Sequence, residues 1–244
     1  MEKVTIPVLQ QMKREGRKIV GVVAYEYPTA QIADRAGVDL VSVGDSVGAN
    51  LWGQPTEAEV TIEELLIACK AVRRGVQRAL VSCDVPQGPV NAGIEAAVSA
   101  TLRLSKEGGA DMVKVLGDPD MVRAIVRAGV PVFAEFHGGN EIPVGKLVDK
   151  AKRLEDAGAS LLDFRHSGPE AGAAVVKAVS IPVIGGLGGG PWLDGRVRLA
   201  HTAIGYGAKW IDSNTETYVN TAKLSLEAFT ALVADVRSGR QIKG

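Results

Sequence analysis

Apolar residues in this chain come in short unbroken runs, and between the runs they recur at helical spacing. Eight runs predict strands: Ile19 to Val23, Leu40 to Val43, Leu80 to Ser82, Met112 to Val115, Val130 to Phe136, Leu161 to Phe164, Pro182 to Ile184, and Lys209 to Ile211. Most are bounded by Gly, Asp or Pro, and their continuous apolar character marks strands covered on both faces. The intervening patterns have the length of helical crossovers. Several helix starts are legible: Thr61 with Glu64 makes a capping box, Asp118 precedes Pro119 at a first helical position, and Ser167 stands three before Glu170. Gly37, Gly109, Gly129 and Gly158 are suited to ending a helix just before the next strand.

Such alternation predicts a (β/α)8 TIM barrel, because parallel strands need covering crossovers and a closed sheet leaves no edge. A doubly wound open sheet reads the same locally and is the structural alternative. The charged, amphipathic segment before Ile19 predicts an extra N-terminal helix placed to cap the barrel bottom. After Thr215, Ala, Leu and Val at helical spacing predict a last helix that bears an oligomer contact. With 244 residues and no linker-like stretch, a single barrel domain over residues 1–244 is expected.

Composition narrows the partners. The chain has 28 basic and 28 acidic residues and no basic stripe of the kind a phosphate backbone requires, so nucleic acid is not an expected partner. Cys69 and Cys83 are too few and too scattered for a disulfide framework or thiolate metal site, which fits a reducing compartment. The N-terminal stretch lacks the apolar core of a signal peptide or membrane span. A soluble, cytoplasmic protein acting on a small molecule, with no membrane association, is the expectation.

Two aspartates end strand candidates, in Val43-Gly44-Asp45-Ser46 and in Val81-Ser82-Cys83-Asp84-Val85-Pro86. A parallel barrel delivers such residues to its catalytic rim, where two carboxylates make a seat for a hard divalent cation. Taken singly, each also reads as a turn or N-cap aspartate. Ser46 offers a hydroxyl to a carboxylate or oxyanion. Lys114 lies inside Met112-Val113-Lys114-Val115, and an ammonium facing a barrel interior needs an anion. That anion is either a substrate carboxylate or a structural aspartate.

Thr5-Ile6-Pro7-Val8-Leu9, the run Ala24-Tyr25-Glu26-Tyr27-Pro28, Gly44-Asp45-Ser46, Asp84 with Val85-Pro86, and Val113-Lys114-Val115 together carry a family likeness. They closely resemble the ketopantoate hydroxymethyltransferase (3-methyl-2-oxobutanoate hydroxymethyltransferase) family, part of the phosphoenolpyruvate mutase and isocitrate lyase superfamily. The resemblance runs over most of the chain. It implies a (β/α)8 barrel, magnesium or a similar divalent metal, and a homo-oligomer, commonly a decamer. The implied reaction moves a hydroxymethyl group from 5,10-methylenetetrahydrofolate to the enolate of a 2-oxo acid. By position, the resemblance implies that Asp45 and Asp84 are metal ligands, that Ser46 lies near the keto acid carboxylate, and that Lys114 binds substrate. A cation chelated by a 2-oxo acid would polarise its carbonyl and stabilise the enolate.

Three positions depart from the family pattern. Lys114-Val115-Leu116 stands where the family has Lys-x-Glu, and Glu135, followed by Phe136-His137, stands where it has a histidine. The sixth strand reads Leu162-Asp163-Phe164-Arg165-His166, which puts Arg165 at the place of the catalytic base. Arginine stays protonated and accepts no proton. It suits a bidentate hold on a substrate carboxylate or phosphate, or an internal salt bridge to Glu135 or Asp163. The remaining catalytic candidates are His166, His137 and Glu135. Glu135 either replaces the lost metal carboxylate or pairs with Lys114 or Arg165. The glycine-rich stretch from Gly185 to Gly195 reads as an anion cradle or as a tight turn before a helical pattern, and Trp192 and Trp210 as packing residues.

Two function classes follow. One is a carbon–carbon bond enzyme acting on a 2-oxo acid, by hydroxymethyl transfer or by diverged aldolase or lyase chemistry on a more anionic acid. The other is a non-catalytic, ligand-binding paralogue.

Overall fold

The structure, a computed structural model, describes residues 2–139 and 141–242. Its strands are β1 (Ile19–Val23), β2 (Leu40–Val43), β3 (Leu80–Asp84), β4 (Met112–Leu116), β5 (Val132–His137), β6 (Leu161–Arg165), β7 (Val183–Gly185) and β8 (Gly195–Leu199). They close into one barrel in sequence order, which excludes the open sheet. Consecutive strands pair in parallel, as in Val41 opposite Val81 and Cys83 opposite Val113. At the closing seam, the Ile19 amide donates to the Asp194 carbonyl at 2.9 Å.

The helices are α1 (Ile6–Arg14), α2 (Tyr27–Ala36), α3 (Ile62–Gly75), α4 (Gln87–Asn91), α5 (Ile94–Lys106), α6 (Pro119–Arg127), α7 (Val144–Asp156), α8 (Pro169–Ala178), α9 (Ala200–Ala203) and α10 (Thr221–Arg237). Their boundaries follow local chemistry. Thr61 Oγ1 accepts from the Glu64 amide while Glu64 Oε2 accepts from the Thr61 amide, the reciprocal box that starts α3. Asp118 Oδ1 accepts from the Asp120 and Met121 amides at the start of α6. The four glycines expected to stop helices all adopt positive φ. Ser167 does not cap α8, since Gly168 holds that position. The Ser167 hydroxyl instead accepts from Trp192 Nε1 at 2.8 Å, because an indole N–H taken from water needs a partner.

The last strand differs from its expectation. Ala208–Trp210 forms a short 3-10 turn, and the strand that completes the barrel is Gly195–Leu199. There Gly195 and Val197 are buried while Arg196 and Arg198 face solvent, so no unbroken apolar run announces the strand. A Cβ on Gly195 would collide with the Ile19 carbonyl oxygen, so only glycine permits this close seam.

Helix α1 closes the barrel bottom. Leu9 and Met12, with Val4 just before the helix, join a cluster with residues at or near strand starts, including Ile19, Leu40, Leu80, Met112 and Leu161. Burying a leucine such as Leu9, which is 1% exposed, contributes about 1.5–3 kcal/mol. The opposite rim, at the C-terminal strand ends, is thereby left as the polar end.

By internal contact the chain forms two compact units, Met1–Arg198 and Leu199–Gly244. In the second, α10 is exposed along nearly its whole length, and Leu224, Phe229 and Val236 stand in solvent. Among the described residues, no helix is long and apolar enough to cross a membrane.

Candidate functional site

The C-terminal ends of β3 to β6 converge on one buried cation. Register sets Asp84 opposite Lys114, Glu135 opposite Asp163, and His137 opposite Arg165. Glu135 and His137 are two apart on β5, and Asp163 and Arg165 are two apart on β6, so each pair shares a strand face. The Lys114 ammonium lies 3.0 Å from Glu135 Oε2, 3.4 Å from Asp84 Oδ2 and 3.6 Å from Asp163 Oδ2. Arg165 reaches Glu135 Oε2 at 2.9 Å with a terminal nitrogen and Asp163 Oδ2 at 3.3 Å with Nε. His137 Nε2 lies 2.8 Å from Glu135 Oε1. Of the partners open for Lys114 and Arg165, the structure therefore supplies internal carboxylates to both. Glu135 bridges the two cations.

Above this network opens a cavity of about 420 Å³, lined by Asp45, Glu57, Asp84, Lys114, Glu135, His137 and Arg165 among others. Ser46 stands beside it, 2.8 Å from the Tyr25 hydroxyl. A Cβ on Gly44 would lie 2.8 Å from Ser46 Oγ, so the glycine keeps room for this pair. His166 is exposed, adopts φ 50, and places its ring 6.2 Å from that of His137. It is not among the residues lining the cavity. Gly188 explains its posture: a Cβ there would come within 2.8 Å of His166 Cα and Nδ1, and the His166 amide donates to the Leu187 carbonyl. The glycine-rich loop does meet an anion, but one of the protein's own, since the Gly186 amide donates to Asp163 Oδ1 at 3.1 Å.

Sequence reasoning missed two members of the site. Asp163 was visible only as a partner of Arg165, although its two-residue spacing from that side chain put both on one face. Glu57 comes from a 3-10 turn, Glu57–Glu59, which carries no strand-end signal.

Burial and charge act on these groups in opposite directions. Burial pushes the Asp84 carboxyl up to about 7; Lys114 pulls it down, and the Asp45 and Glu135 charges push it up again. Asp45 is raised as well, first by burial and then by Glu57. Burial would also raise Glu135, but Lys114 and Arg165 outweigh it and hold this carboxyl below its ordinary value. Burial would lower Lys114, but Asp84, Asp163 and Glu135 overcome it and keep the ammonium charged. The network thus holds Lys114 and Arg165 as fixed positive charges beside carboxylates of unequal basicity.

The same residues fit a hard cation. Asp84 Oδ1 is buried, and among the described residues no donor reaches it. With Asp45 on the same cavity, it would offer two carboxylates to a cation, and magnesium commonly takes one or two carboxylates and fills its remaining positions with water and substrate. Among the described residues, no group of three or more His, Cys, Asp or Glu is arranged to hold a metal. A cation held by Asp45 and Asp84 would therefore have to draw its remaining ligands from water and substrate.

Comparisons with known proteins agree with this architecture. The model of the family described as ketopantoate hydroxymethyltransferase matches residues 3–241. A 3-methyl-2-oxobutanoate hydroxymethyltransferase of Geobacillus kaustophilus is 36% identical, over 93% of this chain and 87% of the relative. One from Moorella thermoacetica is 34% identical, over 98% and 95%. Among solved structures, 2,3-dimethylmalate lyase, a PEP mutase/isocitrate lyase superfamily member, superposes with TM-score 0.66 at 14% identity, covering 98% of this chain and 86% of that one. Oxaloacetate acetylhydrolase in complex with its product oxalate gives TM-score 0.65 at 14% identity, covering 97% and 88%. At such identities the structural likeness speaks for the fold.

Proposed function

This chain belongs to the ketopantoate hydroxymethyltransferase family, and from that premise we propose that it makes or breaks a carbon–carbon bond beside the carbonyl of a small dianionic 2-oxo acid. The observation that carries the reading is Arg165. It stands on the cavity wall with Lys114, and the resemblance assigns it to the place of the family's base, so a fixed positive charge would replace a proton acceptor there. Glu135 and Asp163 engage one terminal nitrogen and Nε of Arg165, and its other terminal nitrogen is the donor that would receive a second substrate carboxylate. The solved structures of similar fold include a lyase of 2,3-dimethylmalate and an enzyme bound to oxalate, both small anionic acids.

Magnesium held by Asp45 and Asp84 would supply Lewis-acid polarisation of the 2-oxo group. Lys114 would stabilise the developing enolate charge, and Ser46 would offer its hydroxyl to the substrate carboxylate. Arg165 orients the far carboxylate. His137 takes the proton-transfer role, because it lines the cavity and Glu135 fixes its ring from 2.8 Å, leaving the other ring nitrogen for substrate. Proton exchange at C3 follows the same route as bond cleavage, since both pass through loss of a substituent from C3 to leave the enolate.

The identity to curated hydroxymethyltransferases favours a second reading, hydroxymethyl transfer from 5,10-methylenetetrahydrofolate to 3-methyl-2-oxobutanoate. Deuterium exchange at C3, followed by NMR in D2O with magnesium, separates the two. Faster exchange of 2-oxoglutarate than of 3-methyl-2-oxobutanoate is expected, and Arg165→Ala should remove that preference. A wild type that favours the monoanion, with Arg165→Ala indifferent to charge, would sink the dianion reading. A homo-oligomer built on α10 and a reducing cytoplasmic setting, in keeping with two free buried thiols, complete the proposal.

A further inference from the structure

Beside the cavity, three residues that follow two strand ends form a short hydrogen-bond chain, of which the reaction proposed above uses only Ser46. Tyr25 follows β1 and is 2% exposed, and its hydroxyl lies 2.8 Å from Ser46 Oγ. Asn50, beyond β2, belongs to a π-helical turn, Gly48–Trp52, a wide turn frequent at functional sites. The Ser46 carbonyl accepts from the Asn50 amide at 3.0 Å and from Asn50 Nδ2 at 2.9 Å. A carbonyl only accepts, so the end of the Asn50 side chain turned this way is its nitrogen. The same Nδ2 lies 3.5 Å from the Tyr25 hydroxyl, a long contact in which the nitrogen again can only donate. A phenol oxygen shares one lone pair with its ring and accepts one good hydrogen bond, so with Asn50 as donor the Tyr25 proton is left for Ser46. Burial pushes the Tyr25 phenol up to about 12, and it holds that proton at neutral pH. A Cβ on Gly44 would stand 2.8 Å from Ser46 Oγ and 3.6 Å from Asp84 Oδ2, so hydroxyl and carboxylate are neighbours across that glycine.

We propose that this chain has a direction: Asn50 donates to Tyr25, Tyr25 donates to Ser46 Oγ, and the Ser46 proton is thereby presented to the carboxylate of the 2-oxo acid. Tyr25 and Asn50 are positioning residues, which act on the substrate only through Ser46. Direction matters because a serine hydroxyl meets an anion either with its proton or with its lone pairs, and only the first attracts. With its proton turned to Tyr25, Ser46 would oppose the same carboxylate. The chain also specifies the class of group seated there, one that accepts and does not donate, which admits a carboxylate and disfavours an ammonium. The carboxylate itself rests on the reaction proposed above; the order of the protons does not.

Calorimetric titration of 2-oxoglutarate into the full chain with magnesium, in a double-variant cycle, tests the action through Ser46. Tyr25→Phe removes one oxygen and Ser46→Ala another, and circular dichroism checks that both variants fold. Each should weaken binding by about tenfold, and the two together no more than Ser46→Ala alone. Effects that multiply would mean that Tyr25 acts on its own or through the fold, and would overturn the proposal, as would wild-type affinity in Ser46→Ala. Asn50→Asp keeps the shape of residue 50 and makes it an acceptor that draws the Tyr25 proton away from Ser46. It should weaken binding in the chain that has Ser46 more than in the Ser46→Ala chain, where only its charge acts; equal losses in both also overturn the proposal. Neutron diffraction from crystals of the ligand-free protein exchanged into D2O reads the order directly. Deuterium on the Tyr25 oxygen, directed at Ser46 Oγ, is the expected result, and deuterium on Ser46 directed at Tyr25 overturns it. No binding of 2-oxoglutarate together with the expected neutron result rejects the proposed substrate alone, and binding with the reversed order rejects the chain alone.

Discussion

Asp84 shows how a single side chain ties the fold to its chemistry. In the folded chain its carboxyl is pushed up to about 7, mainly by burial, against an ordinary value of 3.8. The folded form keeps its proton where the unfolded chain has lost it. The stabilising contribution is therefore complete below the ordinary carboxylate range and fades as pH rises through about 7. Metal-free protein should accordingly lose unfolding free energy in urea between about pH 4 and about pH 7 and level off above that. Asp84→Asn should flatten that decline, and an unchanged slope in the variant would assign the effect to another group. Added magnesium should also flatten it in the wild type, since a cation favours the ionised carboxylate. Failure of magnesium to alter the slope would count against Asp84 as a ligand.

At the level of elements, β8 is the most informative, because its place in the barrel depends on one residue without a side chain. Gly195→Ala drives a methyl group into the Ile19 carbonyl, and overpacking of that kind costs about 1–3 kcal/mol, readable as a lower urea midpoint. Wild-type stability in the variant would show that the seam yields. The same strand marks where the sequence stopped being legible. β1 and β2 matched their expected bounds because their apolar runs are continuous, and α3 and α6 began where Thr61 and Asp118 foretold because caps are local. β8 alternates charge with burial, a pattern that a search for unbroken runs passes over. The site divides along the same line. Asp45 and Asp84 were read from strand-end position, Lys114 from its place inside an apolar strand, and Arg165 from the family pattern, and all four line one cavity. The three carboxylates around Lys114 come from three different strands, and that meeting depends on barrel closure. His166 was drawn aside by Gly188, a neighbour more than twenty positions away in sequence.

On the scale of the whole molecule, α10 leaves Leu224, Leu226, Phe229, Leu232, Val233 and Val236 exposed, which is more apolar surface than a lone helix keeps in water. Sedimentation velocity should therefore return a particle several times the 25.6 kDa of one chain, and the pair Leu224→Glu, Phe229→Glu should reduce it. A monomeric wild type would refute the oligomer. The plug formed by α1 has a consequence of another kind. Because Val4, Leu9 and Met12 seal the end of the barrel remote from the carboxylates, α1 lies on the far side of the core from the candidate site. A linker joined ahead of α1 would grip each barrel by its base. Molecules immobilised that way on a sensor would share one orientation, and a signal on adding a keto acid would come from the rim and not from the point of attachment.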